Sequence, residues 1–330
     1  MPSPRRFPRG TNTLVVVLLA VLGVLLAGCT PPAGAPRREA PRSLHAVLGD
    51  PRTVDPCSLT GSRKLSRWGE VSGAPTVSLD YCLQHLRMAD GSLVQVATGQ
   101  LGPADPGSGD DPVVPKGRWR VVRDAPVPGH CARRILLTDR VSLTVSVDLL
   151  DGEPGGGLCG VAETGAEQAI ARLDQGGVRH RAFAEDSLAL VDPCDVLGTE
   201  VVRQVPGLRR ARAESSPSRH ECRWGREEAG SPRVRMTHTA GAAPAVRHGT
   251  AVEERIAGRR TVLSIIGDDP RTPLCSAETA HLPFGEPGSH QREVAMLVVA
   301  LPGANGIQAC EYARGLAQRA WPRLPSPRGG

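Results

Sequence analysis

Aromatic residues are scarce in this sequence, at 3% of its 330 residues. A domain with so few large aromatic side chains must build its core from small aliphatic residues, which bury less apolar area. Lysine is also rare, because Lys64 and Lys116 are the only two. The formal charge is +6, but no basic stripe with interleaved aromatics occurs. The sequence therefore gives no support for nucleic-acid binding.

Motifs that mark common catalytic and metal sites are also absent. The chain has no Gly-x-Ser-x-Gly elbow, phosphate-binding loop, His-Glu-x-x-His helix or Cys-x-x-Cys pair. His281 and His290 form the one histidine pair to consider as a metal site, but neither has a partner at i, i+4, so a loop is favoured. The sequence predicts no catalytic residue, no cofactor and no metal site.

The N-terminal apolar run is too short for a membrane-spanning helix. It covers residues 14–27, follows Arg5, Arg6 and Arg9, and ends in Leu-Ala-Gly-Cys at Cys29. This ending resembles the bacterial lipobox, which implies a lipoprotein signal peptide at residues 1–28 and diacylglycerol on the Cys29 thiol. An ordinary secretory signal is the alternative. Twin-arginine export is disfavoured because the rest of that motif is missing.

Residues 29–52 comprise the lipidated cysteine and a segment rich in Pro, Ala and Arg. Such a composition cannot bury a core and predicts a tether. Eight cysteines remain after Cys29 is set aside. An even number in an exported chain predicts disulfides in place of a metal site.

The sequence Val-Asp-Pro-Cys occurs at residues 54–57 and again at 191–194. Each copy opens a segment with three further cysteines, and this order predicts two homologous domains at residues 53–175 and 186–325. The first set is Cys57, Cys82, Cys131 and Cys159, and the second set is Cys194, Cys222, Cys275 and Cys310. We expect the first cysteine of each set to pair with the second and the third with the fourth, although other pairings within a repeat remain open.

Identical spacings recur after the fourth cysteine of each set. Apolar residues follow at offsets of 3, 7, 10 and 14: Ala162, Ala166, Ala169 and Leu173 in the first copy, and Ala313, Ala317, Ala320 and Leu324 in the second. This spacing predicts a C-terminal helix with one buried stripe. Strands are expected at residues 141–150 and 294–301, and a match of residues 117–122 with 258–263 lies further upstream. The predicted class is α+β: two tandem domains, each an antiparallel sheet packed by an N-terminal and a C-terminal helix and held by two disulfides.

Three residue types in these repeats have both a functional and a structural interpretation. Asp55 and Asp192 recur before Pro-Cys, which suggests a paired-carboxylate site, but an aspartate that caps the next helix is favoured. Trp224 is expected to pack beside Cys222 and not to form an exposed ligand platform. Glu311 suits the first turn of a helix and needs no catalytic role.

The second copy carries the motifs Asp192-Pro193-Cys194, Cys222-Arg223-Trp224 and Cys310-Glu311-Tyr312-Ala313. Over residues 188–325 it resembles domain-of-unknown-function family 3558, an uncharacterised family of actinobacterial exported proteins. The first copy departs from this pattern, since Leu83-Gln84 follows Cys82 and Gly160 follows Cys159. The resemblance implies a small exported domain or lipoprotein and brings no established activity.

These observations predict a lipoprotein at the outer face of the cell membrane, without enzymatic activity, held to the lipid bilayer by the acyl chains on Cys29. Its expected partner is an extracellular protein, a glycan or a small ligand. The alternative is a secreted hydrolase with a non-standard site between the two domains. That alternative requires histidine or carboxylate side chains from both copies to converge. A third possibility is an accessory subunit of a membrane kinase or transporter.

Overall fold

The computed structural model describes residues 43–73, 78–104, 111–153, 156–228, 230–247, 249, 251–266 and 271–326. Cys29 and the predicted signal peptide lie outside these residues. Within them, the first half of the molecule is residues 43–174 and the second half is residues 187–326.

The first half is a seven-stranded antiparallel sheet with one long helix packed on it. Its strands are β1 (Gly69–Gly73), β2 (Cys82–Met88), β3 (Leu93–Pro103), β4 (Val113–Lys116), β5 (Trp119–Arg123), β6 (His130–Leu136) and β7 (Val141–Asp151), in the spatial order β1-β2-β3-β7-β6-β5-β4. Helices α1 (Leu44–Leu48) and α2 (Ser62–Leu65) are short, and a 3-10 turn spans Pro56–Leu59. The long helix α3 (Leu158–Asp174) packs on β6, β7 and β3.

The second half repeats this arrangement. Its strands are β8 (Ala213–Ser215), β9 (Glu221–Gly225), β10 (Arg233–Ala242), β11 (Ala251–Ile256), β12 (Arg259–Ile266), β13 (Leu274–Pro283) and β14 (Gln291–Ala300), in the order β8-β9-β10-β14-β13-β12-β11. Its helices are α4 (Pro193–Val196), α5 (Thr199–Val202) and α6 (Gly306–Ala320). The strand order equals that of the first half when each half is counted from its own first strand. The α+β prediction and the internal repeat are therefore confirmed.

Four disulfides hold equivalent places in the two halves, and the expected pairing is confirmed. The bridges are Cys57–Cys82, Cys131–Cys159, Cys194–Cys222 and Cys275–Cys310. The first bridge of each half joins the Asp-Pro-Cys turn to the second strand, and the other joins the sixth strand to the start of the C-terminal helix. Each is worth about 3–4 kcal/mol in the chain-entropy description. Such bridges persist in oxidising compartments, so the folded part is extracytoplasmic.

The alanine stripe of each C-terminal helix faces its sheet, as predicted. Ala162, Ala166 and Ala169 are at most 2% exposed, and Ala313, Ala317 and Ala320 are fully buried. Leu324 lies beyond the end of α6, after the 3-10 turn Trp321–Arg323, and is still buried. Small side chains allow the helix backbone to approach the sheet closely, which compensates for the lack of aromatic residues.

The two helices carry opposite charges at equivalent positions, four residues after their disulfide cysteines. Glu163 on α3 accepts from three cations on the sheet: Lys116 at 3.0 Å, Arg123 at 3.3 Å and Arg133 at 2.9 Å. Burial alone would raise the pKa of Glu163, but these hydrogen bonds lower it to about 2. On α6, Arg314 donates to Glu254 of β11 at 2.8 Å. Each helix therefore carries, at this position, the charge that complements its own sheet.

The folded region begins earlier than the predicted boundary at residue 53. Ser43 caps α1 by accepting from the Ala46 N–H at 3.1 Å, and Leu48 is buried in the core of the first half. The Pro-rich composition that predicted a tether ends at Pro41. After it, the sequence supplies a capping serine and apolar residues at helical spacing, so residues 43–52 belong to the domain.

The sequence match of residues 117–122 with 258–263 is out of register by one residue. Val122 pairs with Arg134 and Val262 pairs with Glu278, each partner lying three residues after its cysteine. Gly117 therefore corresponds to Ala257 and not to Gly258. In the β11–β12 turn both Ala257 and Gly258 adopt positive φ (49° and 82°). The glycine is therefore the second residue of this two-residue turn, whereas Gly117 is the first residue of the β4–β5 turn.

Gly160 of the first copy takes the place of Glu311 in the second copy, and its surroundings leave no room for a side chain. A Cβ at this position would lie 2.4 Å from Cη2 of Trp68, whose indole N–H donates to Thr164 at 3.0 Å. The ring therefore cannot move aside without losing that bond. We expect Gly160→Ala to destabilise the protein by about 1–3 kcal/mol through overpacking.

Urea unfolding of the full mature protein measures this effect. Gly315→Ala is the matched control, because a Cβ there meets nothing within 4 Å on α6. That change should stabilise the protein by up to about 1 kcal/mol. Equal effects at the two positions would show that Trp68 does not restrict residue 160.

Candidate functional site

The segment between the halves is bound to both of them. The Asp55 N–H donates to the Arg179 carbonyl at 2.8 Å, and the Arg181 N–H donates to the Thr53 carbonyl at 2.7 Å. Further along, the Asp186 carbonyl lies 2.7 Å from Nε2 of His281 in the second half. The described residues between 43 and 326 accordingly belong to one compact unit.

Arg181 links side chains of both halves. Its guanidinium pairs with Asp55 at 3.0 Å, donates to the Ser78 carbonyl at 3.2 Å and lies over the ring of Phe284, 5.2 Å from the centroid. Phe284 and Phe183 also pack on a small apolar cluster of Leu79, Ala189 and Ala240. The junction therefore uses both phenylalanines of the described residues.

A buried histidine and an aspartate meet across the junction. His220 of the second half is 1% exposed, and its Nδ1 lies 2.7 Å from Oδ1 of Asp80 in the first half. Its Nε2 lies 3.1 Å from the carbonyl of Ala189. Both ring nitrogens thus face oxygen acceptors, and neither is open to solvent.

His238 of β10 is fully buried beside this contact. Its Nδ1 lies 3.1 Å from the Leu188 carbonyl and 3.0 Å from the Val191 carbonyl. Burial lowers the pKa of His238 to about 4, against the opposing effect of these carbonyls. The ring is therefore held neutral in the folded protein.

This shift predicts a loss of stability in mild acid. The unfolded chain takes up a proton near pH 6.5 that the folded chain refuses until about pH 4, so acid favours unfolding. Between about pH 7 and about pH 5 the loss should be about 2 kcal/mol from His238 alone. Urea titrations of wild type and His238→Gln measure it, and the variant should have the flatter pH dependence. Burial raises the pKa of Glu293, which acts in the opposite sense, so equal slopes in the two proteins would contradict the assignment to His238.

An open cleft of about 600 Å³ lies between the halves, and we call it the junction cleft. The first half lines it with Gln100, Leu101, Gly102, Pro103, Arg134, Arg140, Ser142 and Thr144, and the second half with Glu214, Ser215, Ser216, Pro217, Glu221, Arg223, Glu227 and Arg235. Its walls carry charged and hydroxyl side chains and no aromatic ring. Such a surface suits a polar or charged ligand.

The second-half wall of the cleft is a ladder of charged side chains. Arg223 donates to Glu227 at 2.6 Å and lies 3.6 Å from Glu221, while Arg235 reaches Glu227 at 2.8 Å. Burial raises the pKa of Glu221, whereas the hydrogen bond from Arg223 lowers the pKa of Glu227. Arg140, on the opposite wall, is exposed and has no ion pair among the described residues. The ladder fixes the positions of its groups and leaves Arg140 for a ligand.

The residues singled out from the sequence do not form this site. Asp55 and Asp192 cap their turns by accepting from the Cys57 and Cys194 N–H groups, and they pair separately with Arg181 and Arg219, so capping is confirmed. Trp224 is 1% exposed in the same core as Cys222, and its N–H donates to Thr199 at 3.0 Å. Glu311 is exposed on the first part of α6.

The histidine pair considered for a metal is divided between two environments. His281 is buried, with Nε2 2.7 Å from the Asp186 carbonyl, whereas His290 is exposed before β14. Across the described ranges, no group of three or more His, Cys, Asp and Glu side chains is placed to hold a metal ion. In the same part of the chain, no helix has the length and apolar character to cross a membrane.

Sequence reasoning missed Asp80, His220 and the charged ladder. The first two residues lie 140 positions apart and belong to no periodic pattern. The ladder did leave a signal, because Glu221-Cys222-Arg223-Trp224 alternates charged and apolar residues with the period of a strand. That alternation predicts that one face of the strand is charged. It does not predict that this face lies opposite the first-half wall of the junction cleft.

Comparisons with known proteins add little. No protein-family model matches the chain, and no curated protein matches it. Among solved structures, the chain is similar to the di-domain ARO/CYC StfQ from the steffimycin biosynthetic pathway, at 13% identity over 81% of this chain and 95% of that chain. Its TM-score of 0.17 is too low to carry an argument about fold or activity. The resemblance to family 3558 stays a prediction.

Proposed function

We propose that this chain is a lipid-anchored, extracytoplasmic binding protein without enzymatic activity, and that its ligand occupies the junction cleft. The anchor rests on the lipobox ending at Cys29, and the compartment rests on the four disulfides. The observation that carries the proposal is the cleft itself, whose two walls come from different halves. Because the segment between the halves is fixed to both, the walls are held ready for a ligand.

The hydrolase alternative has one observation in its favour and two against it. Asp80 and His220 converge from the two halves, as that alternative requires. However, the Nε2 of His220 is engaged by Ala189, and the ring is 1% exposed, so it presents no base to a substrate. This geometry favours a structural role for the pair and a binding role for the cleft.

Photo-crosslinking in the native cell envelope tests where the partner binds. A photoreactive residue at Gln100, which is exposed in the cleft, should give a discrete adduct. The same residue at Glu311, which is exposed on α6, is the control and should give none. Mass spectrometry of the adduct shows whether the partner is a protein, a glycan or a small ligand. If the crosslinked partner is a subunit of a membrane kinase or transporter, the chain is an accessory subunit. Equal labelling from both positions, or labelling from Glu311 alone, would refute binding at the cleft.

The lipid anchor has its own test. We expect Cys29→Ala to abolish diacylglycerol transfer and to release the protein from the membrane fraction into the medium, because two acyl chains supply stable membrane binding. Immunoblots of membrane and medium fractions measure this change. Retention of the variant at the membrane would contradict the lipobox interpretation.

A further inference from the structure

A second concave surface lies in the second half and shares Glu214 with the junction cleft. It is a pocket of about 470 Å³ between the α5–β8 loop and the β9–β10 turn. Three arginines line it, Arg210, Arg212 and Arg226, together with one carboxylate, Glu214. A neighbouring concavity of about 480 Å³ shares Arg210 and adds Arg209. We call these two concavities the arginine track.

The guanidiniums of the arginine track are unpaired within the part of the chain that the structure describes. Arg209, Arg210, Arg212 and Arg226 are exposed, and among the described residues none of their side chains makes a hydrogen bond or an ion pair. By contrast, Arg223 and Arg235 on the sheet of the second half are paired with Glu227 in the ladder of the junction cleft. Glu214 offers little compensation, because its carboxylate lies 3.8 Å from Arg223. The pocket thus holds three cations against one carboxylate that is shared.

The backbone beneath these arginines is held in one conformation. Leu208 is 2% exposed, and the Ala211 carbonyl accepts from Arg203 at 3.3 Å. A Cβ at Gly225 would lie 2.9 Å from Cδ2 of Leu208 in the loop, and a Cβ at Gly207 in the loop would lie 2.6 Å from Cγ of Pro232. The loop and the turn are therefore packed tightly against each other, so the arginines project from a fixed base.

We propose that the arginine track binds a phosphate-bearing polymer. Guanidinium groups match phosphate oxygens through two parallel hydrogen bonds, and several of them around one concavity require a ligand with more than one negative charge. The track runs through two adjoining concavities, which suits a chain with repeated phosphates better than a single small anion. This inference does not depend on the junction cleft.

Binding of inorganic polyphosphate to the full mature protein tests the proposal. The variant Arg210→Gln with Arg226→Gln should bind polyphosphate at least about tenfold more weakly, and the slope of log affinity against log salt should fall by about one for each arginine removed. The matched control is Arg63→Gln with Arg319→Gln, which removes two other exposed arginines without a partner among the described residues. All four positions are exposed, so circular dichroism should show the wild-type fold in both variants.

Three results would overturn the proposal. An equal loss of affinity in the control variant would mean that net charge alone drives binding. Pyrophosphate binding as tightly as the polymer would exclude a polymer ligand. Polyglutamate of matched length binding as tightly as polyphosphate would exclude phosphate as the recognised group.

Discussion

Asp80→Ala is expected to destabilise the protein by about 3 kcal/mol and to separate the unfolding of the two halves. The Asp80 carboxylate is the acceptor for Nδ1 of His220, at 2.7 Å across the junction, and His220 is 1% exposed. Its removal leaves a buried polar ring atom without its charged partner, which costs several times more than the loss of a surface pair. Scanning calorimetry should show one transition for wild type and two for the variant.

Asp148→Ala is the matched control for this experiment. His130 and Asp148 form the same kind of pair within the first half, with Nδ1 and Oδ1 2.6 Å apart, but their side chains are 39% and 40% exposed. Its loss should cost at most about 1 kcal/mol and leave one transition. An equal loss of stability in the two variants would show that burial at the junction does not increase the contribution of the Asp80–His220 contact to the free energy of unfolding.

Glu163→Gln is expected to destabilise the first half by about 2 kcal/mol. The lowered pKa, about 2 instead of the ordinary 4.5, corresponds to about 3 kcal/mol of interaction with Lys116, Arg123 and Arg133. Solvent screens part of it, since Lys116 and Arg123 are 29% and 41% exposed, while Arg133 is buried. Urea unfolding at neutral pH measures the loss.

The effect of Glu163 should also disappear in acid. The unfolded carboxylate takes up a proton near pH 4.5 and the folded one only near pH 2, so the stabilisation is present above pH 4.5 and is lost as the pH falls to about 2. Glu167→Gln on the same helix is the control, because Glu167 contacts only Lys116 among these cations and is 42% exposed. It should cost less than about 1 kcal/mol. A loss at Glu163 that persists unchanged at low pH would refute the ionic origin.

Local features of the fold were predictable because they repeat in the sequence. The spacing of alanines after Cys159 and Cys310 shows the buried face of each C-terminal helix, since a helix returns to the same side every 3.6 residues. Asp-Pro-Cys predicts a capped turn through the chemistry of neighbouring residues alone. The order of the cysteines favoured pairing within each repeat, and the structure has that pairing.

Contacts between the halves were not predictable in this way. The two halves share one repeat pattern, but the junction joins residues that the repeat does not relate to each other, such as Asp80 and His220. No spacing rule relates residues on different sheets. The prediction that the first domain starts at residue 53 left out α1 for a related reason. A helix as short as α1 gains little stability from its own sequence and is stabilised mainly by the packing of Leu48 in the core.

The central claim is that two copies of one disulfide-bonded domain are anchored outside the cytoplasm through Cys29. Mass spectrometry of the non-reduced protein, purified from its native membrane, tests this claim most directly. The account predicts diacylglycerol on an N-terminal Cys29 and the four bridges Cys57–Cys82, Cys131–Cys159, Cys194–Cys222 and Cys275–Cys310. Free thiols, bridges between the two halves or an unmodified Cys29 would contradict it.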